Sequence, residues 1–299
     1  MDIDGIELCD AMFLYNVLNQ ATVYSCFSDP SYLLLLDVRS RNNYDIGHII
    51  TAKYVHRDEN DETLIPYDAE LETKHYCIVY DNNSKDLSMT NPAVRCAQKL
   101  WDNGSKFPVK VLNGGYELFS AIYPFLRTQK VIYMPRELDA MPIYPIEIIP
   151  QFLYVGKRKQ AMTRHIQVEL KIEAHINASS DNEDRDWSLR MDVLNLSDVT
   201  DSVEGDILSH LESVCKFIEK HEQQNHRILV YSENGISRSI TLALAYLMYR
   251  DHVTLKDAYN YVKQCHHYIR PNRHFIFQLS SWENNLHGQS ITDISDPYF

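Results

Sequence analysis

A basic surface is the first thing this sequence lacks. Its 299 residues carry 29 Lys and Arg against 41 Asp and Glu, a formal net charge of −12. Neither half holds a basic excess, which opposes a general affinity for nucleic acid or an anionic membrane surface, and no partner of either kind is expected. Long apolar runs are missing too. The longest, such as LLLL at Leu33 to Leu36, fall far short of the roughly 20 residues of a membrane-spanning helix. The opening MDIDGIELCD is acidic where a secretory or transit peptide is basic. A cytoplasmic location is expected, with other intracellular compartments, the mitochondrion included, left open. Glycine and proline are scarce, at 9 and 11 residues, which excludes a collagen-like, disordered or linker-dominated chain. The six cysteines show no CxxC spacing and lie in apolar stretches, so buried reduced thiols are expected. Among 13 histidines, Cys265-His266-His267 with His274 is the nearest thing to a metal cluster. Adjacent residues on a helix point about 100° apart and cannot both face one ion, so no metal and no other cofactor is expected.

What is present is ordinary globular material: 44% apolar and 23% charged residues. At roughly 150 residues per domain the length suggests two domains. In the first half, Glu7 to Ala21 reads as an amphipathic helix through Leu8, Met12, Leu14, Tyr15 and Leu18. Continuous β-type runs at Tyr32–Val38, His75–Asp81 and Val109–Tyr116 read as strands, with a helix at Pro92–Trp101 between the last two. Strand, helix and strand alternate, so this half is α/β with a largely parallel sheet. From Arg127 to Pro150 four prolines interrupt short mixed segments and periodicity disappears, marking a domain seam. In the second half, FLYVG, AHINAS and RILVYS read as strands, and the acidic stretch DNEDRD as a loop. Helices are expected at Asp206–Lys220, along ITLALAYLMYR, from Thr254-x-x-Asp257 to about Ile269, and from Asn272 to about Leu286.

The segment Val230 to Ser239, VYSENGISRS, joins a buried strand to an apolar helix. Such a turn aims successive backbone N–H groups at one point, and the helix N-terminus adds positive partial charge. Arg238 can clamp two oxygens of a bound anion. Ser232, Glu233, Asn234, Gly235, Ile236, Ser237 and Arg238 are therefore the expected phosphate cradle. The segment resembles the signature loop of the cysteine-dependent dual-specificity protein phosphatases, His-Cys-x-x-Gly-x-Ser-Arg-Ser. IEIIPQFLYVG, INAS, LNLSD at Leu194 to Asp198, and RPN with its following F, QL and WE agree with the same family. In the first half, LLLLDVRSRNNYDIGHIITA and VKVLNGGYELF are similar to the rhodanese fold in the form attached to MAP kinase phosphatases. The resemblance implies an α/β chain of four parts: a rhodanese-like domain at 1–134, a linker at 135–145, a dual-specificity phosphatase-like domain at 146–286, and a flexible tail at 287–299.

Departures from the family pattern bear on activity. Ser232 stands where the family has its nucleophilic Cys, and Tyr231 where it has the preceding His. A thiol can be ionised by the cradle's positive potential; a hydroxyl cannot, and the loop offers no His or Lys as a base. Asp198 stands at the family's general-acid position, where a solvated or capping aspartate is expected once no phosphoenzyme can form. In the first domain Asp81 stands where active rhodaneses carry their sulfur-bearing Cys, so sulfur transfer is not expected. MAP kinase docking needs a basic cluster, but HRDENDETL sets Arg57 against four carboxylates, which makes such docking doubtful. Arg39 and Arg41 offer at most a small substitute patch, solvated loop arginines being the commoner case. The resemblance thus implies a pseudophosphatase that binds phosphorylated proteins or active protein phosphatases without turnover. A weakly active phosphatase, and a scaffold whose partner surface lies outside the cradle, remain as alternatives.

Overall fold

The computed structural model describes residues 4–22, 25–59, 63–66, 69–132, 135–180, 191–196 and 198–295. The DNEDRD loop and part of HRDENDETL lie outside them. The chain divides into two compact units, Met1–Pro142 and Ile143–Phe299.

The first unit is built on a five-stranded sheet. Its strands are β1 (Ile6–Cys9), β2 (Leu33–Asp37), β4 (Lys53–Tyr54), β5 (Tyr76–Tyr80) and β6 (Val109–Leu112); β3 (His48–Ile49) and β7 (Arg127–Thr128) form a separate antiparallel pair. The order β1-β6-β5-β2-β4 is parallel throughout. Helices α1 (Ala11–Asn19), α2 (Arg41–Ile46), α3 (Pro92–Asp102), α4 (Gly115–Ile122) and α5 (Pro135–Asp139) complete it. β2 and β5 are buried along nearly their whole lengths because both faces are covered, and apart from Asp37 at the end of β2 they carry no charge. Leu34, Leu36, Cys77 and Val79 pack against Val94, Ala97 and Leu100 of α3 in one cluster.

Four expectations are corrected here. Residues 7–9 are strand, not helix: Ile6 and Cys9 are buried and β1 pairs with β6, so long-range pairing overrides the local apolar spacing. The helix starts only at Ala11, where the Asp10 carboxylate caps the Phe13 N–H at 2.6 Å. The strand expected through Tyr116 ends at Leu112, and α4 begins at Gly115. Gly115 has φ +54°, and a Cβ there would stand 2.5 Å from the Asp81 carbonyl oxygen, so this turn requires glycine. The expected linker contains α5, whose Asp139 carboxylate accepts a hydrogen bond from the Ser28 hydroxyl.

The second unit carries β8 (Ile146–Ile149), β9 (Leu153–Lys157), β10 (Ile172–Asn177), β11 (Asp192–Asn195) and β12 (Arg227–Ser232), in the order β11-β10-β12-β9-β8. All pairs are parallel except β8 with β9. Its helices are α6 (Arg158–Ala161), α7 (Arg164–Leu170), α8 (Leu208–Gln223), α9 (Arg238–Asp251), α10 (Leu255–Cys265) and α11 (Arg273–His287). α9 is buried from Arg238 to Met248 and packs against α8, α10 and α11, as expected of a helix apolar on every side. Thr254 caps α10 by accepting from the Asp257 N–H at 3.1 Å.

The fourth correction is the tail. Residues 288–295 do not float free: the Ile291 and Thr292 N–H groups each donate to Glu283 Oε2 at 2.8 Å, and the Thr292 hydroxyl donates to Oε1 at 2.7 Å. The Leu255 N–H also donates to that carboxylate. Glu283 thus ties α11, the start of α10 and the C-terminal segment together. No helix of the described residues is long and apolar enough to cross a membrane.

Candidate functional site

β12 is the central strand of the second sheet, and its last residue, Ser232, is 3% exposed. Glu233 to Ser237 turn the chain over the strand's carboxyl end into α9, whose first residue is Arg238. Gly235 has φ +70°, and a Cβ on it would lie 2.7 Å from the Gly156 carbonyl carbon. Only glycine lets the loop pass this close to β9. Two further bonds hold the loop from outside. The Arg270 N–H donates to the Ile236 carbonyl at 2.8 Å, and the Asn272 N–H donates to Ser237 Oγ at 3.1 Å. Those donors belong to the RPN segment, so that motif acts as a brace behind the loop.

Within the loop, Ser232 Oγ accepts from the Gly235 N–H at 3.2 Å and lies 3.1 Å from Ser239 Oγ. Neither partner is a base. Ser237 Oγ donates to Asp201 Oδ1 at 2.8 Å, while its carbonyl accepts from the Thr241 N–H and hydroxyl. Arg238 is 5% exposed; Nη1 donates to the Val199 carbonyl at 3.2 Å, and the buried Nε has no hydrogen-bond partner among the described residues. Asp201 Oδ2 lies 3.9 Å from Nε. A buried guanidinium at a helix N-terminus, beside a loop held open by glycine, suits an anion.

The remaining residues singled out from the sequence fall in different places. Glu233 and Asn234 are exposed at the rim, and Glu233 Oε1 accepts from the Ser180 N–H at 3.4 Å. Tyr231, 2% exposed, packs its ring edge-on against His175 at 5.5 Å between centroids. Asp198 is exposed and sits 3.2 Å from His210 Nε2, a surface pair. The carboxylate that reaches the loop is instead Asp201, which the sequence reading missed. The signal was only a second aspartate in LSDVTD, and a loop pattern does not say which of two acids turns inward.

In the first unit Asp81 closes its own turn, accepting from the Asn83 and Ser84 N–H groups at 3.1 and 2.9 Å. Arg39 is not a surface cation. It is buried against Asp37, with Nη2 2.6 Å from Oδ2 and Nε 3.0 Å from Oδ1, and stacks over the Tyr116 ring at 3.7 Å. Arg41 pairs with Asp45 at 3.0 Å. Five of the six cysteines are buried and Cys26 is half-buried; burial pushes the thiols of Cys9, Cys96 and Cys215 up to about 12. Among the described residues no three His, Cys, Asp or Glu side chains converge as a metal site.

Comparison with known proteins decides the architecture. Residues 153–285 match the catalytic domain of the dual specificity phosphatases, and residues 20–122 match the rhodanese-like domain. The chain joins a rhodanese-like domain to a dual-specificity phosphatase domain. A probable rhodanese domain-containing dual specificity protein phosphatase of Dictyostelium discoideum is 32% identical over 183 residues, covering 60% of this chain and 38% of that protein. Human dual specificity protein phosphatase 16 is 28% identical over 284 residues, covering 88% of this chain and 42% of that protein. The chain therefore spans well under half the length of these two relatives. The crystal structure of human tyrosine phosphatase-like serine/threonine/tyrosine-interacting protein is 27% identical, with a TM-score of 0.44, and covers 48% of this chain and 97% of that one.

Proposed function

We propose that the dual-specificity phosphatase domain is a pseudophosphatase of the serine/threonine/tyrosine-interacting kind: it binds phosphorylated proteins, or the active phosphatases that act on them, and regulates signalling by competition or scaffolding. The observation that carries this reading is Ser232. A serine at the nucleophile position, its hydroxyl engaged by the Gly235 N–H and Ser239, has among its described partners no base to take its proton. The cradle around it is kept, with Gly235 in its left-handed turn and Arg238 buried at the head of α9. The phosphatase activity named for the relatives belongs to chains in their own right, and the residue types at 231 and 232 separate this domain from the family's signature loop.

The rhodanese-like domain takes part in this reading as a structural and interaction module. Asp81, folded into its own turn, supplies no sulfur to transfer. MAP kinase docking through Arg39 is not included, because the Arg39 guanidinium is committed to Asp37. The cell interior, principally the cytoplasm, is the proposed location.

Binding is tested with a phosphotyrosine peptide and its unphosphorylated counterpart. The full chain should retain the phosphorylated peptide selectively, and Arg238→Ala should abolish that selectivity. Equal binding of both peptides, unchanged by Arg238→Ala, would favour a partner surface outside the cradle.

A further inference from the structure

We propose that the Asp201 carboxylate is an internal stand-in for phosphate, which holds the resting cradle against weak anions and must be displaced when a phosphoryl ligand enters. This rests on the phosphate-binding reading above and assigns a regulator to that same site. The described polar contacts of Asp201 are both with the cradle: Oδ1 accepts from Ser237 Oγ at 2.8 Å, and Oδ2 faces Arg238 Nε at 3.9 Å. The first is a full hydrogen bond. The second is beyond hydrogen-bond length, so the charge is opposed but the donor is not satisfied.

Arg238 shows the same incompleteness from the other side. It is buried, with Nη1 held by the Val199 carbonyl and Nε without a hydrogen-bond partner among the described residues. Buried donors are ordinarily paired, and an orphan on a guanidinium at a helix N-terminus marks a position where an acceptor is expected. A phosphoryl oxygen that reached Nε would supply that acceptor. It would also stand close to the Asp201 carboxylate, and like charges at such a distance oppose each other, although the solvent that reaches the exposed Asp201 side chain screens part of that repulsion. Ligand entry and the Asp201 contact are therefore competitive.

Val199 and Asp201 lie on the same short segment, and both of their contacts converge on Arg238. Drawing the guanidinium toward a ligand loosens both together. The segment after β11 thus acts as a latch on the cradle, and ligands with contacts beyond the phosphoryl group, as a phosphoprotein has, are favoured over free inorganic anions.

The test is calorimetric titration of the full-length protein with inorganic phosphate and, separately, with O-phosphotyrosine. Asp201→Asn keeps an oxygen to accept from Ser237 and removes the charge. It should bind inorganic phosphate about tenfold more tightly than wild type or better, and adding Arg238→Met should erase the gain. Asp201→Ala, which also removes the acceptor, should show the same direction of change, and its melting temperature reports any loss of folding separately. Wild type that binds phosphate as tightly as both Asp201 variants would overturn the latch and leave the cradle reading intact. No binding by wild type or by either well-folded variant would overturn both. Binding that appears only in the variants would support the latch while removing phosphate recognition by the resting cradle.

Discussion

The hydroxyl of Ser232 lies 3.1 Å from the hydroxyl of Ser239, at the meeting of β12 and α9. On the proposed reading the first stands at the family's thiolate position, and either hydroxyl can donate to the other. Tyr231→His with Ser232→Cys should yield measurable hydrolysis of p-nitrophenyl phosphate, because the loop N–H groups and Arg238 can stabilise a thiolate. Ser232→Cys alone should yield little, and Arg238→Ala should abolish what the double variant gains. A folded, inert double variant would mean that the loop is not shaped for phosphate.

Glu283 should prove a structural hinge-pin of the second unit. Burial alone would raise its carboxyl, but the N–H groups of Thr292, Leu255 and Ile291 and the Thr292 hydroxyl hold it below the usual range. Glu283→Gln replaces one acceptor oxygen by a donor facing donors, at a cost of about 1–3 kcal/mol. Chemical denaturation should show that loss, and hydrogen exchange should show residues 288–295 released. Unchanged protection there would contradict the docking of the tail.

His266 gives a pH dependence with a definite sign. Burial, then the nearby charges of His267, Lys157 and Lys263, push its imidazole down to about 4, and its Nδ1 accepts from the Tyr268 N–H at 3.4 Å. The unfolded ring takes a proton near pH 6.5 while the folded ring stays neutral. Its stability contribution is thus full above about pH 6.5 and is lost as pH falls toward 4, about 3 kcal/mol in all. Melting temperatures of wild type should fall more steeply across this window than those of His266→Asn. Parallel profiles would show that the ring is not held neutral.

Arg39 and Asp37 form a buried pair, and breaking one side leaves an uncompensated charge. Arg39→Ala should destabilise the first unit by about 3–5 kcal/mol, seen in thermal melts of the full chain. A melt indistinguishable from wild type would return Arg39 to the surface role that its neighbours in the sequence suggested.

The strand-to-helix loop was legible because strand, glycine and arginine come in an unbroken run, and their placement follows from chain order alone. RILVYS is a strand over the same six residues read from its apolar pattern. Long-range pairing was not legible: residues 7–9 have helical spacing yet become a strand because Val109 to Leu112 are available beside them. Charges misled for the same reason. Arg39 reads as a loop cation until the fold closes Asp37 and Tyr116 over it, and Asp201 is indistinguishable from Asp198 until the segment after β11 bends one of them toward Ser237. The tail looks mobile from composition, but within the described residues 288–295 one buried carboxylate, Glu283, holds Ile291 and Thr292.

The most direct measurement of the central claim is hydrolysis of p-nitrophenyl phosphate and phosphotyrosine peptides by the purified wild-type protein across about pH 5 to 8, the range in which the family's thiolate and acid chemistry would operate. The rate should not exceed that of buffer, and Ser232→Ala should not change it. Hydrolysis above background that disappears in Ser232→Ala would show Ser232 to be a working nucleophile and contradict the assignment as a pseudophosphatase.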